Sequence, residues 1–154
     1  MSGMTDTALV DMMNAGMAQT IPIAHTMGVR VVEARPGFAA ATVPAAGNGN
    51  HFGVVYAGVE FTVAEILGGI LALSSFDSAT YFPLVKNIDI AFVGMAKSDL
   101  RAEASLDEDT IARVTAEAAE RGKADFTVEA VVTDAEGQTV VTTRGLYQLR
   151  AHAR

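Results

Sequence analysis

The sequence predicts an α+β fold in which an antiparallel sheet of about six strands curls around one long, apolar central helix. Three observations carry this expectation. Short segments of β type follow one another through tight turns, which favours antiparallel pairing over crossover connections. The run from Val54 to Leu73 is apolar on nearly every side, so it demands burial all round rather than along one stripe. A chain of 154 residues, half of them hydrophobic and 19% charged, is expected to form a single domain over residues 1–154 with a proper core. One sheet can enclose such a helix only by curling about it, with other helices or a partner subunit completing the cover.

The elements follow in order. Thr5 to about Gln19 reads as a helix, with Thr5, Asp6 and Thr7 offering capping oxygens and Leu9, Met13, Gly16 and Met17 at helical spacing. Pro22 is expected to end it. The face formed by Met12, Met13 and Met17 reads as packing, because methionine fills irregular gaps. Two strands come next, VRVVEA from Val29 and FAAATV from Phe38, joined by a turn at Arg35-Pro36-Gly37. The polar loop PAAGNGN then leads into the apolar helix. Strands resume at Leu84–Phe92 and Leu100–Leu106. Asp107-Glu108-Asp109 caps a more polar helix with apolar positions Ile111, Val114 and Ala118 and a stop at Gly122. Phe126–Thr133 and Thr139–Leu149 close the chain as a hairpin around Asp134-Ala135-Glu136-Gly137.

Composition narrows the function. A net charge of −7 argues against nucleic acid and against an anionic membrane as partner. The lack of cysteine excludes disulfides, cysteine-bearing zinc sites and a thiol nucleophile. No basic-then-apolar leader is recognisable, and the long apolar run holds Glu60, Glu65 and three glycines. It therefore reads as a core helix rather than a membrane span, and the cytoplasm is the expected location. His25 and His152 lack metal-ligand spacing, so no metal is expected. Ser74-Ser75 lacks the context of a nucleophile elbow.

The unusual residue is Glu65. Glu60 and Glu65 are five residues apart and point about 140° apart around the helix axis. Glu60 falls in the first turn, where the helix dipole favours a negative charge, and this is enough to account for it. Glu65 lies deeper, flanked by Val63, Ala64, Ile66 and Leu67, where an ionised carboxylate is unfavourable unless paired or hydrogen-bonded. Gly68 and Gly69, three and four residues on, share its face, and each is unfavourable in a helix by about 1 kcal/mol relative to alanine. They are expected to leave a groove beside the carboxylate, open to a ligand or to a closely packed backbone. A buried arginine partner or a subunit seam is the structural alternative. At the helix start, Gly53 and Gly58 let a substrate approach outward-pointing backbone N–H groups. A carbonyl oxygen placed there would be polarised as in an oxyanion hole, and Glu65 could activate water or attack the carbonyl itself.

With these residues in view, the chain resembles the hotdog-fold acyl-CoA thioesterases, in particular the phenylacetate-pathway-like branch or a related one. Members carry an Asn, six residues later a His-Gly-Gly opening the helix, and an Asp or Glu nine residues after that His. Here Asn50 is followed by Tyr56-Ala57-Gly58, and Glu65 lies nine beyond Tyr56. The family's His-Gly is thus replaced by Tyr56-Ala57 while Gly58 remains. The flanks HTMGVRVVEARPGFAAATVP, IDIAFVGMAKSDLRAEASL and DAEGQTVVTTRGLYQLR are also similar, extending the resemblance over about residues 20–150. It implies Glu65 as the catalytic carboxylate, either general base or nucleophile, and the Gly58 N–H as donor to the thioester oxygen. Asn50 would orient water or the carbonyl. Tyr56 and Ala57 would lie against the substrate, with the acyl chain beside Gly68 and Gly69. Coenzyme A enters as part of the substrate, no other cofactor is implied, and the assembly is a homodimer, often paired into a tetramer.

Two other functions stand beside this one. A non-catalytic acyl-CoA or lipid-binding hotdog protein fits the replaced imidazole. A hotdog hydratase or dehydratase would use His51, because His51-Phe52 precedes Glu65 by the fourteen residues found in the His-Phe-Pro-Gly enzymes, although the Pro is absent here. His51 is otherwise a polar loop residue. Lys97 with Arg101, or Arg121 with Lys123, could meet the phosphates of coenzyme A; ordinary solvated surface charge is the alternative.

Overall fold

The computed structural model describes residues 6–153. Helix α1 (Asp6–Thr20) and the short α2 (Pro22–Met27) precede a hairpin of β1 (Arg30–Arg35) and β2 (Phe38–Val43). The central helix α3 (Ala57–Ser75) follows, then β3 (Tyr81–Phe92), β4 (Leu100–Ser105), α4 (Glu108–Arg121), β5 (Lys123–Thr133) and β6 (Thr139–Ala151). The strands form one six-stranded sheet in the order β1-β2-β4-β5-β6-β3, antiparallel at every pairing. The sheet curls so that α3 packs against all of its strands. This is the hotdog arrangement. By length and composition α3 could cross a membrane, but it is the core helix of this fold.

Local chemistry explains where the elements stop. Gly37 takes a φ of +82° in the β1–β2 turn, and a Cβ there would stand 2.7 Å from the Leu106 carbonyl oxygen. That close approach lets the Leu106 N–H donate to the Gly37 carbonyl at 2.9 Å. Asp107 caps α4 by accepting from the Thr110 N–H at 2.7 Å, and Gly122 ends the helix in the left-handed region. In the β5–β6 hairpin the Asp134 carboxylate accepts from the Glu136 and Gln138 N–H groups, each at 2.9 Å.

Several boundaries differ from the sequence expectation. Thr5 lies outside the described residues. Pro22 does end α1, but it also opens α2, where its missing N–H falls among donors that a helix start leaves free anyway. Strand β3 begins at Tyr81 and runs through Pro83, a residue tolerated because β3 pairs with β6 alone and is an edge of the sheet. Strand β5 likewise begins at Lys123, directly after Gly122. At the opposite edge, the Asn14 side chain of α1 donates to the Val31 carbonyl at 2.9 Å and accepts from the Val31 N–H at 2.8 Å. This pair stitches α1 to β1.

Candidate active site

The two carboxylates of α3 face different surroundings. Glu65 is half-buried, and its same-face neighbours one turn away are the exposed Phe61 and the half-buried Gly69. Burial pushes its carboxyl above the ordinary carboxylate value, and among the described residues no ion pair or hydrogen bond holds the side chain. The buried-arginine alternative is therefore absent from the described residues. Glu60, by contrast, lies on the sheet-facing side with Val63, Ala64, Leu67 and Leu71, and is only 5% exposed. Burial alone pushes its pKa up to about 7. Glu60 does fall in the first turn of α3, as expected, but its burial there adds a cost that the helix dipole account does not include.

The two glycines beside Glu65 have different jobs. A Cβ on Gly68 would collide with the ring of Tyr147 from β6, and one on Gly145 would stand 2.6 Å from the same ring. The pair forms a slot for the aromatic side chain, so Gly68 holds no groove for a ligand. Inside the slot the Tyr147 hydroxyl donates to the Glu65 backbone carbonyl at 2.8 Å. Burial, and secondarily the nearby Glu65 charge, raise the Tyr147 pKa. Gly69 is open: nothing lies within 4 Å of a Cβ placed there, and it lines a cavity of about 350 Å³ between α1 and α3.

At the helix start, Tyr56 is the N-cap residue and Ala57 and Gly58 are the first two helical positions. The Val59 and Glu60 N–H groups donate to the Tyr56 carbonyl at 2.9 and 3.1 Å, whereas those of Ala57 and Gly58 have no acceptor among the described residues. The exposed Tyr56 ring leans on Gly58, 3.0 Å from where a Cβ would stand. Gly58 and Glu65 are seven residues apart, hence on nearly one face and about 10 Å apart along the axis. A helical side chain leans toward the N-terminus, which brings the Glu65 carboxylate closer to the Gly58 N–H. The arrangement offers a base and a free donor on one half-exposed strip.

The loop before α3 is held by its asparagines. The Asn50 side-chain oxygen accepts from the Phe52 and Val54 N–H groups at 2.9 and 3.3 Å, closing its own turn. Asn48, which no expected motif includes, donates to the Met27 and Pro44 carbonyls at 2.6 and 2.8 Å. Its carbonyl accepts from the Tyr56 N–H at 2.9 Å and so fixes the start of α3. The GNGN spelling of Gly47–Asn50 was the available signal, since asparagine readily bonds to nearby backbone. His51 is exposed, its ring tilted by 42° against that of Phe52 at 4.0 Å between centroids. Of the basic candidates, Arg101 is engaged by Glu33 and by Glu103, the latter at 2.7 Å. Lys97, Arg121 and Lys123 have no ion pair among the described residues.

Residues 10–147 match the family described as Domain of unknown function (DUF4442). A Pseudomonas aeruginosa protein of unknown function, named a probable thioesterase, is 40% identical; the match covers 92% of this chain and 96% of that one at a TM-score of 0.84. A protein of unknown function from Chlorobaculum tepidum shares the fold at 17% identity, covering 96% and 98% of the two chains with a TM-score of 0.84. A Haemophilus influenzae thioesterase shares it at 14% identity, covering 97% and 93% with a TM-score of 0.74. No curated protein matches the chain.

Proposed function

Because the chain belongs to the DUF4442 family and to the hotdog thioesterase superfamily, we propose that it is a cytoplasmic acyl-CoA thioesterase with Glu65 as its catalytic carboxylate. The observation that carries this is the pairing of an unpartnered, half-buried Glu65 with the free Gly58 N–H on one strip of α3. As general base, Glu65 takes a proton from water while the hydroxide attacks the thioester carbon. The developing oxyanion accepts from the Gly58 N–H. The carbon–sulfur bond then breaks, and the coenzyme A thiolate takes the proton back from Glu65, leaving free thiol and carboxylic acid. Direct attack by Glu65 would give the same products through a mixed anhydride. Coenzyme A is part of the substrate and no further cofactor is needed.

The proposed enzyme is a homodimer. Among the described residues nothing pairs with the outer edge of strand β3, and Leu84 and Val85 on it are exposed. Pairing of β3 with its copy satisfies those backbone groups and covers those side chains.

The test is free-thiol release from a panel of acyl-CoAs. Glu65→Gln is expected to lower turnover about a hundredfold or more while acyl-CoA affinity is retained. Wild-type turnover should rise with pH through a value above the ordinary carboxylate range, because the deprotonated form is the base. Undiminished turnover in the variant removes Glu65 from the role, and wild-type binding without turnover makes the protein a carrier instead.

A further inference from the structure

The cavity between α1 and α3 is unusual in its walls. One is the methionine face of α1, Met12, Met13 and Met17; the other is the strip of α3 formed by Ile66, Gly69 and Leu73. Among the described residues, no ionisable and no aromatic side chain lines it, and its polar side chains are limited to Thr20 and Ser78. The methionine face is expected to be packing. Met13 and Met17 are indeed buried, but Met12 is exposed and all three border the space. Each wall also carries a glycine, Gly16 on α1 and Gly69 on α3. Neither has an atom within 4 Å of where its Cβ would stand.

Resting on the thioesterase reading above, the geometry points to this cavity as the acyl-chain site, selective for straight-chain aliphatic groups of about eight to twelve carbons. Three features set that class. Gly69 is one turn beyond Glu65 on the same helix face, so a chain lying in the cavity leads its carbonyl end back toward the carboxylate. The volume of about 350 Å³ holds roughly a dozen methylene-sized units, if each takes about the 30 Å³ of a liquid water. Flexible methionines fit around a chain of variable shape, whereas an aromatic acyl group would find no ring to pack against. Gly16 and Gly69 set the depth from opposite walls. Their absent side chains are the room the chain occupies.

The experiment is calorimetric titration of the Glu65→Gln protein with acyl-CoAs from four to sixteen carbons, with phenylacetyl-CoA, and with the matching free fatty acids. Affinity should climb about threefold to fourfold per methylene and level off near ten to twelve carbons, with phenylacetyl-CoA weaker than decanoyl-CoA. Adding Gly69→Leu or, separately, Gly16→Leu fills the cavity from one wall and should move the plateau about four carbons shorter. The two variants lie on different helices, so failure of one to fold leaves the other to decide. A flat series, a preference for phenylacetyl-CoA, or a plateau that neither variant moves overturns the assignment. So does a change of oligomeric state in the variants without a change in the series, which would make the cavity an interface between copies. Hydrolysis of short or aromatic thioesters with a flat series would leave the thioesterase proposal standing and sink this one. The predicted series in a protein that hydrolyses nothing would do the reverse.

Discussion

Glu60→Gln isolates the effect of a buried carboxylate that has no ion pair or hydrogen bond among the described residues. Glu60 faces the sheet at 5% exposure, and burial alone raises its pKa from the ordinary 4.5 to about 7. The folded protein therefore holds this proton more tightly than the unfolded chain does. Between the two values the unfolded state binds fewer protons, so folding stability must fall as pH rises from about 4.5 to about 7 and stay low above that. At about 1.4 kcal/mol per tenfold change in proton affinity, the penalty at pH 8 is about 3 kcal/mol. Glutamine has the shape of the protonated acid and never ionises, so the variant escapes that penalty. Its stability relative to wild type should be near zero at pH 4 and rise to roughly +3 kcal/mol at pH 8, about 6–12 °C in melting temperature for a chain of this size. Urea melts of both proteins at half-unit pH intervals give the difference curve directly. A curve that is flat with pH, or one on which Glu60→Gln grows less stable toward pH 8, refutes the reasoning.

Three further outcomes follow from the geometry. Gly68→Ala should destabilise by about 3 kcal/mol because its Cβ meets the Tyr147 ring, while Gly69→Ala should gain up to about 1 kcal/mol from helix propensity; thermal melts of the pair check this. Tyr147→Phe keeps the ring in its slot and loses the 2.8 Å bond to the Glu65 carbonyl, for a loss of about 1 kcal/mol by urea denaturation. Val85→Lys places a charge on the open edge of β3 and should shift the proposed dimer to monomer in light scattering after size exclusion; a wild-type monomer, or a dimeric mass unchanged in the variant, refutes pairing through this edge.

Wherever a residue acts on its own neighbourhood, the fold was legible from the sequence. Asp107 and Gly122 bound α4, Gly37 turns the first hairpin, and Asp134 closes the last one. Each does so through its own backbone preference or a bond to a residue a few positions away. The site was legible only in part, for the opposite reason. Tyr147 lies 82 residues from Glu65 in sequence, and no local pattern announces that its ring will claim Gly68 and leave Gly69 free. The first-turn place of Glu60 is legible, but its burial is not, for a related reason. A helix that is apolar on every side has no stripe to say which way it faces, so spacing alone fixed the angle between the two carboxylates but not which of them meets the sheet.

That ambiguity bears on why a site exists here at all. A sheet curled around a helix covers most of its circumference, and the remaining strip must be covered by something else. On α3 the strip carries Gly58, Phe61, Glu65, Gly69 and Leu73, which are all half-buried or exposed, whereas Val63, Ala64, Leu67 and Leu71 on the other side are buried. Helix α1 covers one margin of the strip and leaves the methionine-walled cavity there. An acid on the buried side, like Glu60, has its proton affinity raised by burial. An acid on the uncovered strip can be reached by water and by a substrate while its neighbours still raise its proton affinity. The chemistry proposed for Glu65 therefore depends on the incompleteness of the sheet's wrap. A substitution that extends the cover across the strip should silence the site even with Glu65 and Gly58 intact.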